Sequence, residues 1–244
     1  MTITNETIQV PVADGTTMQA YLARPGAGHR QAGVIVAHEL FGVTPDIRGV
    51  ADDLAGSGYL TIAPEFYHRG AAPGRSLGRD DAGRQEGFRY LNQLRRQQAL
   101  DDTAAGIGWL SAQPGIERVT MIGFSAGGHL SYLAACRLPL AATAVLYGGW
   151  LPSTDIPMSQ PSPTLDLTPG ISGHLLYLTG EDDELIDAGQ RRQIGDALRA
   201  AGVSHELVTY PGTAHAFFWP GTPAFNEKAR DDAWARILAM LAAA

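Results

Sequence analysis

Cysteine and lysine are almost missing from this chain of 244 residues, which has one of each, Cys136 and Lys228. A single thiol closes no internal disulfide and builds no thiolate metal site, and its rarity fits a reducing compartment. With Lys228 the only lysine, the cationic charge is carried by arginine, and 25 acids outnumber 18 bases to leave a net charge of −7. A field of that sign repels phosphate backbones, so nucleic acid is not an expected partner. Nowhere do 18 apolar residues run together, and the first twelve residues carry neither a basic nor an apolar leader segment. No membrane span or signal peptide is therefore expected, and the chain reads as cytoplasmic. No phosphate-cradling G-x-x-x-x-G-K-[ST] is present, and Gly26-x-Gly28 and Gly106-x-Gly108 both lack the third glycine of a dinucleotide fingerprint. No cofactor is expected. His38-Glu39 opens like a zinc-protease helix, but Gly42 stands where the second histidine would be, so no metal is expected either.

What remains is a globular composition, 45 % hydrophobic and 18 % charged, at a length that fits one domain over residues 1–244. Alternating polarity over 7–12 and 18–23, around Asp14-Gly15, predicts an N-terminal β-hairpin. After it the pattern changes to short, mostly continuous apolar runs at 34–37, 59–63, 119–122, 144–147, 175–178 and 206–209. Such runs mark strands covered on both faces, as in a parallel sheet between helices. Helical spacing fills the gaps at 47–55, 85–94, 100–112, 127–137, 189–200 and 227–241. Strand and helix alternate, which predicts an α/β fold with a mostly parallel central sheet and helices on both faces. The Pro/Ser/Thr-rich stretch 151–169 has no periodicity and reads as a surface loop.

The strongest local signal is Gly123-Phe124-Ser125-Ala126-Gly127, directly after one predicted strand and before a helix. A serine on so sharp a turn needs glycines two residues to either side, where strand and helix approach too closely for a Cβ. The helix start behind it offers free N–H groups, and that of Ala126 is placed to donate to an oxyanion. Serine is a weak nucleophile without a base, and the base needs a carboxylate to hold its tautomer. His215, in a Gly-containing loop leaving the last strand, is the candidate base. The run Gly180-Glu181-Asp182-Asp183-Glu184 after strand 175–178 offers the acid, with Asp183 the first candidate and Asp182 the next. Cys136 and His129, on the helix behind the serine, read as a core residue and a satisfied buried histidine.

Four motifs together resemble the dienelactone hydrolase family of the α/β-hydrolase fold: Ala37-His38-Glu39-Leu40-Phe41-Gly42-Val43, the Gly-Phe-Ser-Ala-Gly-Gly turn, Gly180-x-x-Asp183-x-x-Ile186, and Ala214-His215-Ala216-Phe217. The similarity runs from about Thr7 to Leu241. It implies an α/β-hydrolase fold with Ser125 as nucleophile, Asp183 as orienting acid, His215 as base, and the N–H groups of Leu40 and Ala126 as the oxyanion hole. It also implies that Glu39 lies beside the nucleophile and takes part in its activation. The chain departs from the family twice. Serine stands where the best-known members have cysteine, which leaves Glu39 a structural or polarity-setting part. Trp219 stands where the family has an arginine that pairs a substrate carboxylate, and a second family arginine falls on Arg84 only by ungapped register. The expected pocket therefore comprises Phe41, Phe217, Phe218, Trp219 and Arg84. The expected function is hydrolysis of small neutral aryl or alkyl esters, or lactones, through an acyl-enzyme. Its alternatives are a true dienelactone hydrolase acting on an anionic lactone, and a ligand-binding protein that has lost its chemistry.

Overall fold

A computed structural model describes residues 2–26, 28 and 30–244. Its strands are β1 (Thr4–Pro11), β2 (Thr17–Arg24), β3 (Ala32–Ala37), β4 (Leu60–Pro64), β5 (Arg118–Phe124), β6 (Ala142–Leu146), β7 (His174–Gly180) and β8 (His205–Tyr210). Its helices are α1 (Pro45–Gly56), α2 (Asp81–Leu91), α3 (Arg96–Ser111), α4 (Ala126–Arg137), α5 (Ala188–Ala200) and α6 (Glu227–Ala243). The strands form one sheet in the order β1-β2-β4-β3-β5-β6-β7-β8. The β1–β2 hairpin pairs antiparallel and joins β4 antiparallel, while every pairing from β4 through β8 is parallel.

Alternation along each strand decides which residue meets which helix layer. In β3, Val34 and Val36 pack with Ile47, Val50 and Leu54 of α1, whereas Ile35 and Ala37 pack with Leu110 of α3 and Leu130 of α4. In β7, Leu176 and Leu178 face Ile237 and Leu241 of α6, and Leu175 and Tyr177 face Ile194 and Leu198 of α5. Both faces are covered, which is why these strands read as continuous apolar runs. Side-chain caps begin four of the helices: Thr44, Asp80, Asp187 and Asn226 accept from the N–H three residues on. Asp80 starts α2 four residues before the apolar spacing predicts, because its first turn, Asp81 to Arg84, is exposed apart from Gly83 and carries no apolar stripe.

The stretch 151–169 is not a surface loop. It contains two 3₁₀ segments, Pro157–Ser159 and Thr164–Gly170, and buries Leu151, Ile156, Met158, Thr164 and Thr168. Its three-residue turns give no 3.6 period to read. Polar contacts anchor it: Tyr132 Oη lies 2.7 Å from Thr168 Oγ1, and Arg96 Nε donates to the Met158 carbonyl at 2.8 Å. Among the described residues no helix is long and apolar enough to cross a membrane.

Candidate active site

Ser125 occupies the turn between β5 and α4 with φ 53° and ψ −112°, a strained conformation for a residue with a side chain. The flanking glycines explain how the turn closes. A Cβ on Gly123 would lie 2.0 Å from the Gly127 carbonyl oxygen, and one on Gly127 would lie 2.3 Å from that of Ala37. Neither site admits a larger residue. Ser125 N–H donates to the Leu146 carbonyl at 2.9 Å, tying the turn to the neighbouring strand end. Ala126 is the first residue of α4, so its N–H has no acceptor in a preceding turn, and the residue lines the cavity over Ser125.

Ser125 Oγ donates to His215 Nε2 at 2.9 Å, and His215 Nδ1 donates to Asp183 Oδ2 at 2.8 Å. Asp183 is 3 % exposed, and its other oxygen accepts the Leu185 N–H at 2.9 Å, whereas Asp182 faces solvent. The loop after β7 thus turns one of two adjacent acids inward. The His215 ring is packed edge-on against Tyr147 with 5.1 Å between centroids. Four non-glycine residues have positive φ among the described residues, namely Ser125, Tyr147, Trp150 and Ala216, and all four border this site. Stored backbone strain concentrated in one place is a mark of a functional site.

The cavity over Ser125 measures about 190 Å³. Its walls include Leu40, Phe41, Phe88, Trp150 and Leu185, and its polar lining includes Glu39, Arg84 and Glu184 beside His215. Two of the expected pocket residues, Phe41 and Arg84, are therefore at the cavity. Phe217, Phe218 and Trp219 are not, which corrects the expected aromatic wall. They are 0 %, 6 % and 2 % exposed and turn into the core, where Phe124 meets Phe218 at 5.1 Å and Trp219 at 4.7 Å. The reason is the positive φ at Ala216, which reverses the chain after His215 and sends the aromatic run under the site. Phe88, Trp150 and Leu185 were missed in the sequence. Phe88 follows Arg84 by four residues, on the same helix face, and Trp150 follows the carboxyl end of β6, so helix spacing and the strand-end rule for binding sites both pointed to them.

Glu39 lies beside Ser125 but is not free. Its Oε1 accepts from Arg79 Nη2 at 2.8 Å and Nε at 3.1 Å, and its Oε2 accepts from Trp219 Nε1 at 2.7 Å. Burial pushes this carboxyl above the usual carboxylate range, and Arg79 and Trp219 oppose the shift. His129, one turn along α4, is fully buried with Nδ1 2.8 Å from the Gly149 carbonyl and Nε2 2.9 Å from Thr164 Oγ1. Burial lowers its pKa to about 4, so it is a neutral brace for the segment after β6. Cys136 is buried on the same helix, and burial raises its thiol to about 12.

A mostly parallel sheet with a serine on the strand–helix turn, and an acid and a histidine delivered by later strand-end loops, defines an α/β-hydrolase fold. The model of the dienelactone hydrolase family matches residues 18–244, and the chain belongs to that family. A Synechocystis protein provisionally named carboxymethylenebutenolidase is 34 % identical over 243 residues, covering 97 % of this chain and 93 % of the relative. An Escherichia coli protein with the same provisional name is 32 % identical over 93 % of this chain and 82 % of its own length. The crystal structure of a Klebsiella pneumoniae protein, provisionally described as a dienelactone hydrolase, superposes with a TM-score of 0.88 at 30 % identity, over 99 % of both chains.

Proposed function

We propose that this hydrolase cleaves carboxylic ester or lactone bonds through an acyl-enzyme on Ser125. The observation that carries the reading is the Ser125–His215–Asp183 chain, with contacts of 2.9 and 2.8 Å, whose serine and histidine open onto a cavity of about 190 Å³. Ser125 Oγ attacks the carbonyl carbon while His215 Nε2 takes its proton, and Asp183 stabilises the imidazolium. The N–H groups of Leu40 and Ala126 receive the negative charge that develops on the carbonyl oxygen. The proton then passes to the leaving alkoxide, and water repeats the sequence on the acyl-enzyme to release the acid. In a lactone the alcohol stays attached to the acyl group and leaves with it.

The apolar wall of Leu40, Phe41, Phe88, Trp150 and Leu185 supports a neutral aryl or alkyl group on the substrate. A second reading, an anionic lactone, is favoured by Arg84, which lines the same cavity and makes no ion pair among the described residues. The name carried by the relatives points the same way. The test has two stages. A fluorophosphonate should label Ser125, and Ser125→Ala should abolish both labelling and hydrolysis; labelling elsewhere ends the serine reading. A free acid and its methyl ester, compared by kcat/KM in wild type and Arg84→Ala, then separate the substrates. A charge-assisted bond is worth about 1.5–3 kcal/mol, or roughly 10- to 150-fold. Preference for the ester supports the neutral reading, and preference for the acid that vanishes in Arg84→Ala supports the anionic one.

A further inference from the structure

The two loops that bring the reacting groups to Ser125 meet in one polar contact, and that contact is braced by a side chain that belongs to neither. Glu39 precedes Leu40 in the loop after β3, and Trp219 follows His215 by four residues in the loop after β8. They meet at the 2.7 Å bond from Trp219 Nε1 to Glu39 Oε2. Indole offers a single N–H, so this bond alone would leave the second oxygen of a carboxylate that is 3 % exposed without a partner. Arg79, in the segment between β4 and α2, supplies what is missing through the fork of Nε and Nη2. Its remaining nitrogen, Nη1, reaches Asp46 in the first turn of α1, and its guanidinium lies 5.4 Å from the Trp219 ring and 6.0 Å from that of Phe41. With both oxygens held in charge-assisted bonds, Glu39 has no reason to approach the serine proton, and His215 already stands 2.9 Å from Oγ.

We propose that Arg79 is a positioning residue: through Glu39 and Trp219 it holds the Leu40 N–H and the His215 ring in register around Ser125, with Glu39 as a strut and not a base. This rests on the serine-hydrolase reading above. Loops from separate strand ends have no sequence-local reason to keep a fixed spacing, yet an oxyanion donor and a base must be set against the same reacting carbon. A misplacement of about 1 Å costs on the order of 100-fold in rate. The Arg79 fork and the indole N–H fix that spacing from the side away from the substrate.

Arg79→Ala, Arg79→Lys, Trp219→Phe and Glu39→Gln are compared with wild type by hydrolysis of a neutral aryl ester and by the rate of Ser125 phosphonylation, with thermal midpoints recorded for each. The expected result is a kcat for Arg79→Ala lower by roughly 10- to 100-fold with KM nearly unchanged. Arg79→Lys recovers part of it, because an ammonium keeps the charge and loses the fork. A role in stability alone would lower the thermal midpoint and leave kcat per folded molecule intact, which overturns the proposal. Should Arg79→Ala fail to fold, Trp219→Phe decides: reduced kcat supports the proposal and wild-type kcat overturns it. Glu39→Gln that stops phosphonylation while Arg79→Ala leaves it unaffected makes Glu39 a base and also overturns it. An unlabelled wild-type Ser125 removes the serine reading itself, whereas a labelled wild type with an unimpaired Arg79→Ala removes only the positioning role.

Discussion

Gly87→Ala is a one-carbon change that should reach the oxyanion hole from outside it. Gly87 is buried in α2, and a Cβ there would lie 2.7 Å from the Leu40 carbonyl oxygen and 2.8 Å from Leu40 Cγ. The leucine side chain can rotate away, but the carbonyl belongs to the backbone and moves only if the loop after β3 or the helix moves with it. Reaching an ordinary contact of about 3.4 Å needs about 0.7 Å of separation between α2 and the peptide that carries the proposed oxyanion donor. If the helix and the loop share that movement, Leu40 N–H shifts by a few tenths of an ångström, and scaling from about 100-fold per ångström gives a loss of roughly 3- to 10-fold in kcat. Complete loss of an oxyanion donor, about 10²- to 10³-fold, is the upper bound. Overpacking costs about 1–3 kcal/mol, against which the better helix propensity of alanine returns about 1 kcal/mol. Gly108→Ala in α3 is the control, since nothing lies within 4 Å of its Cβ; it should gain about 0.5–1 kcal/mol and keep full activity. Steady-state hydrolysis of an aryl ester and urea unfolding of both variants make the measurement. A folded Gly87→Ala with wild-type kcat would refute the argument that α2 sets the position of Leu40.

Three further outcomes are expected. Asp183→Asn should lower kcat by about 10³- to 10⁴-fold while Asp182→Asn changes little, and a reversed pattern would move the acid role to Asp182. His38 and His129 are both held by burial at a pKa of about 4, below the value of about 6.5 in the unfolded chain. The unfolded state therefore binds more protons as pH falls from 6.5 towards 4, and stability present above pH 6.5 is lost on that descent. At pH 5 each histidine should account for a loss of about 2 kcal/mol, so a urea midpoint unchanged between pH 7 and pH 5 refutes the assignment. Cys136, buried with its thiol raised to about 12, should resist iodoacetamide in the native protein and react on unfolding; rapid native alkylation contradicts this.

Much of the architecture was legible in the chain because it is written in local patterns. Continuous apolar runs give doubly covered strands, and Gly123, Ser125 and Gly127 announce the turn because the clash they avoid lies within five residues. The same locality marks where reading stopped. Segment 151–169 hides its burial because 3₁₀ turns carry no helical period, and the start of α2 is displaced because its first turn has no apolar stripe. Asp182 and Asp183 are chemically alike and adjacent; only the fold turns Asp183 inward to His215 and leaves its neighbour in water. Phe217, Phe218 and Trp219 look like pocket walls because they follow His215, yet the reversal at Ala216 spends them on the core under the sheet. Arg79 carries no motif at all, since its partners Glu39, Asp46 and Trp219 lie 40, 33 and 140 positions away in sequence. Steric and periodic demands act between neighbours along the chain and so can be read from it. The partner of a long polar side chain is settled by which loops the tertiary structure brings together, and that depends on every element at once.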